Sequence, residues 1–416
     1  MRHRFGAVPL ALLLAGCAAR QPVTPPAPTP PPVAAPAPAP APPAAPVAAQ
    51  PAPVPPLRLT RAAFADLPDW SASNFEDARA SFRRGCAVLT RRAADYALSG
   101  TGYAGNAGDW TAVCNDTGTA SRAFFETRFT PYAISAGAEA GGLFTGYYEP
   151  LLEASLTRGG IYQTPVYGMP ADLVRVNLSA FNSKYAGERI SGRVENGRLV
   201  PYANRAEINA RPPQTQILLW AADPVGVFFL EIQGSGRARL PDGRMLRLAY
   251  AGGNGRAYTA IGRTLINEGQ LTRETVSLQT IRAWLKANPA QARRVMETNE
   301  SYVFFAREEL ATGVPGPNGT LGVALTPRAS LAIDSRLNAL GAPFFVVADG
   351  RASVRGLMMG QDPGGAIRGA VRGDIFFGFG DEAESRAGMM NAPGRLYVLL
   401  PNALAAKIGA ARDYPP

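Results

Sequence analysis

Histidine is almost missing from this chain: the single example, His3, lies among the first few residues. Downstream of it there is no imidazole at all. That excludes Ser-His-Asp and Cys-His nucleophilic sites and any zinc site that needs a histidine ligand. Acid–base chemistry must then fall to carboxylates, tyrosine or lysine, and lysine is scarce too, at positions 184, 286 and 407 alone. Cysteine is limited to Cys17, Cys86 and Cys114. No apolar run reaches the ~20 residues that a membrane-crossing helix requires, and no internal repeat is visible. Arginines do not cluster with aromatics in the manner of a nucleic-acid surface, so nucleic acid is not an expected partner. No metal or cofactor motif is present either.

What is there begins with Arg2, His3 and Arg4, followed by a short apolar stretch from Phe5 to Ala15. A basic start and a short apolar core read as a secretory signal peptide covering residues 1–16. Leu14-Ala15-Gly16-Cys17 resembles the lipobox of bacterial lipoproteins, which implies cleavage before Cys17 and acylation of that cysteine. Two or more acyl chains hold far better than one. Ala18 stands where an inner-membrane retention signal would place Asp, so the expected location is the periplasmic face of the outer membrane. From residue 17 to residue 56 the chain is nearly all Pro, Ala and Val, with no acid. Such a tether samples polyproline II and reaches on the order of 100 Å. The first 56 residues hold three arginines and no acid, so the net charge of +10 becomes +7 for the body, Leu57 to Pro416. A modest positive field of that kind suits an anionic polymer.

Within the body, apolar residues recur at helical spacing from Phe75 to Arg92, with Ser73 or Asn74 as N-cap. Short helices follow at Trp110 to Cys114 and Ser121 to Phe129. Cys86 and Cys114 fall in neighbouring helices, which leaves open a disulfide or two buried free thiols. Strands are expected at Leu199 to Pro201, Gln216 to Trp220, Val225 to Gln233 and Met245 to Tyr250. Asp242-Gly243 signals a type I′ hairpin between the last two. Helices are expected at Tyr258 to Glu268, Arg273 to Ala287 and Glu382 to Met390. Strands return at Phe344 to Ala348, Val354 to Met359, Asp374 to Phe379 and Arg395 to Leu400.

The densest chemical signal runs from Gln361-Asp362-Pro363-Gly364-Gly365 to Gly373-Asp374-Ile375-Phe376-Phe377-Gly378-Phe379-Gly380. Two acids flank a glycine-rich turn and a strand. Asp362 can brace the turn through its own side chain. Asp374 opens an apolar strand, an uncommon place for a carboxylate unless it faces a cleft. This stretch resembles the three-aspartate domain of the membrane-bound lytic murein transglycosylase A family, with Asp334, Asp362 and Asp374 as the trio. Gly146-Tyr147-Tyr148-Glu149-Pro150, Leu199-Val200-Pro201-Tyr202, Arg205-Ala206-Glu207-Ile208, Glu231-Ile232-Gln233-Gly234-Ser235-Gly236, Ser301-Tyr302-Val303-Phe304-Phe305 and Gly322-Val323-Ala324-Leu325-Thr326-Pro327 extend the likeness, in order, over about residues 142–401.

The resemblance implies a mainly β protein with peripheral helices. A double-psi β-barrel would be formed by residues 57–149 and 300–416, with the three-aspartate motif over 320–402. A second, β-rich substrate-binding domain, residues 150–299, would be inserted into it and leave a groove. It also implies cleavage of the β-1,4 bond between N-acetylmuramic acid and N-acetylglucosamine in peptidoglycan glycan strands, leaving 1,6-anhydro ends. Asp374 would be the acid and base, with Asp362 beside it. Thr145, Gln233 and Ser235 are candidates to hydrogen-bond the sugars, Tyr147 and Tyr148 to stack on them, and Asp334 to join the binding set. Cell-wall synthesis proteins are conceivable partners. Two rival readings stand: a muramidase-type hydrolase in which a second carboxylate activates water, and a wall-binding lipoprotein that holds glycan without cutting it.

Overall fold

The computed structural model describes residues 55–415 apart from 186–187, 311–312, 314, 351 and 365–366. Residues 1–54, on which the expected signal peptide, the lipidated Cys17 and most of the tether fall, lie outside the described residues.

Six strands close into a barrel. In spatial order they are Pro343–Ala348, Val354–Pro363, Ser330–Ile333, Arg372–Phe379, Gly142–Glu149 and Asn391–Pro401, and the last pairs with the first. Side chains alternate along each strand. Phe144, Leu331, Ile333, Phe344, Ile375 and Val398 fill the interior, while Thr145 and Asp374 fall on the other parity and keep part of their surface in solvent. Beyond Asn391–Pro401 the sheet continues through Phe129–Ala136, Leu57–Arg61 and Ala411–Tyr414.

The Phe75–Leu89 helix covers one side of this barrel. It is capped by the Asn74 side chain, which accepts the N–H of Asp77, and it stops three residues short of the expected Arg92. Phe75, Ala78, Phe82, Cys86 and Leu89 are its buried stripe, as the periodicity implies. Phe82 meets the rings of Phe124 and Phe129, each at 5.6 Å between centroids. Cys86 and Cys114 are joined by a disulfide, with Cα atoms 5.3 Å apart.

At Glu149 the chain leaves the barrel. Leu151–Ser155 enters a second six-stranded sheet, ordered Val303–Glu309, Met245–Gly253, Gly236–Arg239, Leu151–Ser155, Ile217–Ala221, Thr164–Tyr167. A bridge between Gly168 and Phe305 links its two end strands. The second sheet therefore runs to Glu309, past Asn299. The turn into it is built around buried charge: Glu149 meets Arg237 at 3.1 Å and Arg247 at 3.3 Å. A separate three-stranded sheet comprises Val174–Asn177, Arg189–Glu195 and Arg198–Pro201.

Several local expectations are corrected here. The segment expected as a strand from Val225 to Gln233 is a helix, Pro224–Gln233. Its signals are end signals: Asp223 caps Val225, Pro224 occupies the first turn, and Gly234 closes the helix at φ 80°. Burial on nearly every side erased the amphipathic period that normally reveals a helix. The Asp242-Gly243 turn is not type I′, which needs positive φ at both residues. Only Gly243 has it, at 83°, in a longer loop closed by Leu240 and Arg244. The helix expected from Arg273 starts at Leu278 under a Ser277 cap. Pro289 opens a further helix, Pro289–Glu297, that was not expected.

Candidate active site

Strand register assembles the site. Ala332 pairs with Asp374 on one side and with Asp362 on the other, Asp374 pairs with Thr145, and Thr145 pairs with Asn391. One row across five strands thus reads Asp362, Ala332, Asp374, Thr145, Asn391. Directly paired residues share a face, so the two acids look the same way with only the Ala332 methyl between them. Their Cα atoms stand two strand spacings apart, roughly 10 Å.

A β-bulge makes this possible. Leu331 pairs with Gly360, yet the next residue, Ala332, pairs with Asp362, so Gln361 is the extra residue. One extra residue inverts the alternation of everything after it. Gln361 turns inward, fully buried. There its amide oxygen accepts from Ser81 Oγ at 2.9 Å and Ser330 Oγ at 2.6 Å, and its nitrogen donates to the Ser81 carbonyl at 3.0 Å. Asp362 is thereby aimed outward. Its Oδ1 accepts the Thr320 N–H at 2.9 Å. Burial pushes its carboxyl up to about 6, with help from the nearby Asp374, against the pull of Thr320.

Asp374 Oδ1 accepts from the Thr145 hydroxyl at 2.7 Å. Burial raises this carboxyl above the usual carboxylate range, opposed by Thr145 and the Arg372 cation. Tyr147, two residues along from Thr145 and on the same face, packs against Phe376 at 5.2 Å. Its hydroxyl is buried near both acids, short of a well-formed hydrogen bond to either, and burial and the two acids drive its pKa far up.

The remaining expected residues lie apart from this pair. Tyr148 points to the opposite face and is buried with Ala383 and Ala387. Gln233 Oε1 accepts the backbone N–H of Tyr148 at 3.1 Å, tying the second sheet's helix to the barrel strand. Ser235 follows the Gly234 helix end and is half-buried. The Asp334 side chain is wholly buried and held by the Arg336 fork at 2.8 and 2.9 Å and by the Gly369 N–H at 2.9 Å. Those donors outweigh burial and keep its carboxyl below the ordinary range. Asp334 therefore pins the loop that leads from Asp362 to Asp374.

Three neighbours escaped the sequence reading. Arg372 donates from Nη2 to the Thr145 hydroxyl at 2.9 Å. It stands two residues before Asp374, so the alternation of a strand was the signal that could have found it. Thr320 reaches Asp362 through its backbone, which no side-chain pattern reports. Tyr258, from the second sheet's side of the chain, is near enough for Asp374 to raise its pKa beyond the effect of burial. A cavity of about 550 Å³ lies elsewhere, over the buried Arg205–Glu231 pair and walled by Phe228, Leu285, Met296 and Tyr302, and it contains none of the expected residues.

Comparison with known proteins accords with this geometry. Residues 143–306 match the family model described as MltA specific insert domain, and residues 329–400 match the 3D domain model. The membrane-bound lytic murein transglycosylase A of Escherichia coli K12 is 34% identical over 266 residues, 62% of this chain and 65% of that protein, so the match spans just under two thirds of it. That of Vibrio cholerae is 32% identical over 286 residues, 64% of this chain and 69% of that protein. A solved membrane-bound lytic murein transglycosylase from Agrobacterium tumefaciens superimposes with TM-score 0.73 at 31% identity, over 84% of this chain and 99% of that one. Escherichia coli MltA with bound chitohexaose gives 0.61 at 28% identity, over 79% and 90%.

Proposed function

Since the chain belongs to the membrane-bound lytic murein transglycosylase A family, we propose that it cleaves peptidoglycan glycan strands between N-acetylmuramic acid and N-acetylglucosamine, with Asp374 as acid and then base. The observation that carries this reading is the raised, outward-facing carboxyl of Asp374 on a barrel strand, hydrogen-bonded to Thr145. A carboxyl that is protonated at working pH can give its proton to the leaving glycosidic oxygen. The muramic 6-hydroxyl then attacks the anomeric carbon and returns a proton to Asp374. The product is a 1,6-anhydro ring. No water enters, so a second carboxylate is not required. Asp362, on the same face two strands away, helps orient the sugar.

The barrel ring is read as double-psi, built from residues 57–149 and 300–416. Residues 150–299 form the bulk of a substrate-binding insertion, and the glycan lies in a groove between them. Tyr147, Gln233 and Ser235 belong to that groove, with Tyr148 and Asp334 supporting its walls. Chitohexaose in the Escherichia coli structure is a chain of sugars of the same general kind. A lipid on Cys17 would hold the protein to the outer membrane, with the Pro/Ala tether spanning toward the wall and bringing it near cell-wall synthesis proteins.

A hydrolase remains the rival with an observation in its favour, because Asp362 shares the face of Asp374. Mass spectrometry of purified sacculi digested by the protein and by Asp374→Ala separates them. Muropeptides one water lighter than hydrolytic products, reduced by at least ~10²-fold in the variant, are expected. Reducing ends would assign a hydrolase, and binding without products would leave a wall-binding protein.

A further inference from the structure

We propose that Arg372 is a positioning residue that acts through the Thr145 hydroxyl to decide which oxygen of Asp374 carries the catalytic proton. The proposal rests on the reading of Asp374 as acid and base.

The guanidinium of Arg372 donates to three acceptors. Nη1 donates to the Leu143 carbonyl at 3.2 Å and to the Gly373 carbonyl, and Nη2 donates to Thr145 Oγ1 at 2.9 Å. Arginine has donors only, so Thr145 must be the acceptor in that bond. A hydroxyl has one proton to give. With a cation on its lone pair the hydroxyl is polarised, becoming a poorer acceptor and a better donor. Its proton lies on the 2.7 Å line to Asp374 Oδ1. Were neutral Asp374 instead to donate from Oδ1, Thr145 would face two donors, and its own proton would have no partner among the described residues. Oδ1 is therefore the accepting oxygen, and the acid proton sits on Oδ2.

The chemistry then has a direction. Oδ2–H gives its proton to the glycosidic oxygen as the C1–O bond breaks and the electron pair leaves with that oxygen. The 6-hydroxyl oxygen forms the new bond to C1 and its proton goes back to Oδ2. Oδ1 stays with Thr145 throughout, so the carboxyl does not rotate between the two transfers.

Several charged or titratable groups face Asp374. Arg372 lies on its own strand, Tyr147 on the neighbouring strand, Asp362 one strand beyond Ala332, and Tyr258 comes from the chain between the Met245–Gly253 strand and the Ile261–Asn267 helix. Arg372 is the cation of that set, and it opposes the rise that burial imposes on Asp374. Removing the cation raises Asp374 further. Activity needs the protonated acid, so the alkaline limb of the rate profile moves to higher pH.

The test is the pH dependence of kcat for anhydro-product release from soluble glycan fragments, with thermal melting as the check on folding. For Arg372→Met we expect kcat to fall ~10-fold or more and the alkaline limb to rise by about one pH unit. Arg372→Lys keeps the charge but loses the fork, so its limb stays in place while kcat falls. In a Thr145→Val background, adding Arg372→Met lowers the plateau kcat less than about twofold, because the link is already cut. A uniform loss with an unmoved limb, or losses at the two sites that multiply, would overturn the proposal. Should Arg372→Met not fold at assay temperature, Arg372→Lys decides, and wild-type kcat there overturns it. Asp374→Asn keeps the two failures apart. If that variant is active, the underlying reading falls; if it is inactive while Arg372→Met titrates like wild type, only the role of Arg372 falls.

Discussion

Two aspartates of the trio show how position sets the charge of one side chain. Asp334 is buried yet held low by Arg336 and Gly369, whereas Asp362 is driven up to about 6. A raised carboxyl favours the protonated native state, so its contribution is full below an unfolded pKa of ~3.9 and is lost as pH rises through about 6. At pH 8 the ionised Asp362 weakens the fold, by roughly 2 kcal/mol after allowance for its partial exposure. Asn keeps an oxygen for the Thr320 N–H and never ionises. Asp362→Asn should therefore be more stable than wild type at pH 8 and nearly equal to it at pH 4, measured by chemical denaturation at both. An equal difference at the two pH values would rule this out. The sequence displayed all three acids and, through their resemblance, their grouping. It did not display Thr320 or Arg372 as partners, since a backbone N–H leaves no mark in a motif and an arginine beside an acid reads as surface charge.

At the scale of elements, the site depends on one irregularity. Gln361 is the residue that lets Asp362 face outward, and its amide is spent on Ser81 and Ser330. Gln361→Leu keeps the volume and strands two buried hydroxyls. A loss of ~2–3 kcal/mol is expected on the usual cost of unsatisfied buried groups, read as a lower denaturation midpoint. Substituting Ser81 by Ala in the same chain should return part of that loss, and failure to do so would detach the bulge from this network. Elements with their own period were legible: the Phe75–Leu89 helix and most barrel strands fall within a few residues of expectation. The Pro224–Gln233 helix was not, because a segment apolar on every side has no face to betray its period. A bulge is invisible for a related reason, since it is defined by the partner strand.

Across the whole molecule, what the periodicity could not state was closure. The likeness to a known family supplied the idea of a barrel, whereas no local pattern says that Asn391–Pro401 pairs with Pro343–Ala348. Away from the site, the Cys86–Cys114 bridge ties the helical layer over a separation of 28 residues. Loop-closure entropy for such a link is worth about 3.6 kcal/mol. Cys86→Ser with Cys114→Ser should lower the melting temperature by several degrees and leave kcat at 25 °C unchanged. A matching loss of kcat would show that the helical layer also shapes the site.

The bond between Thr145 and Asp374 joins residues 229 positions apart. A ribosome has therefore released most of the chain before the two can meet, and the Asn391–Pro401 strand that flanks Thr145 emerges later still. A chain broken off before Asp374 carries Thr145 and Tyr147 but lacks the carboxyl proposed as the acid. On the proposed reading the blade is sheathed by its own order of manufacture, and becomes an edge only when the last strand arrives.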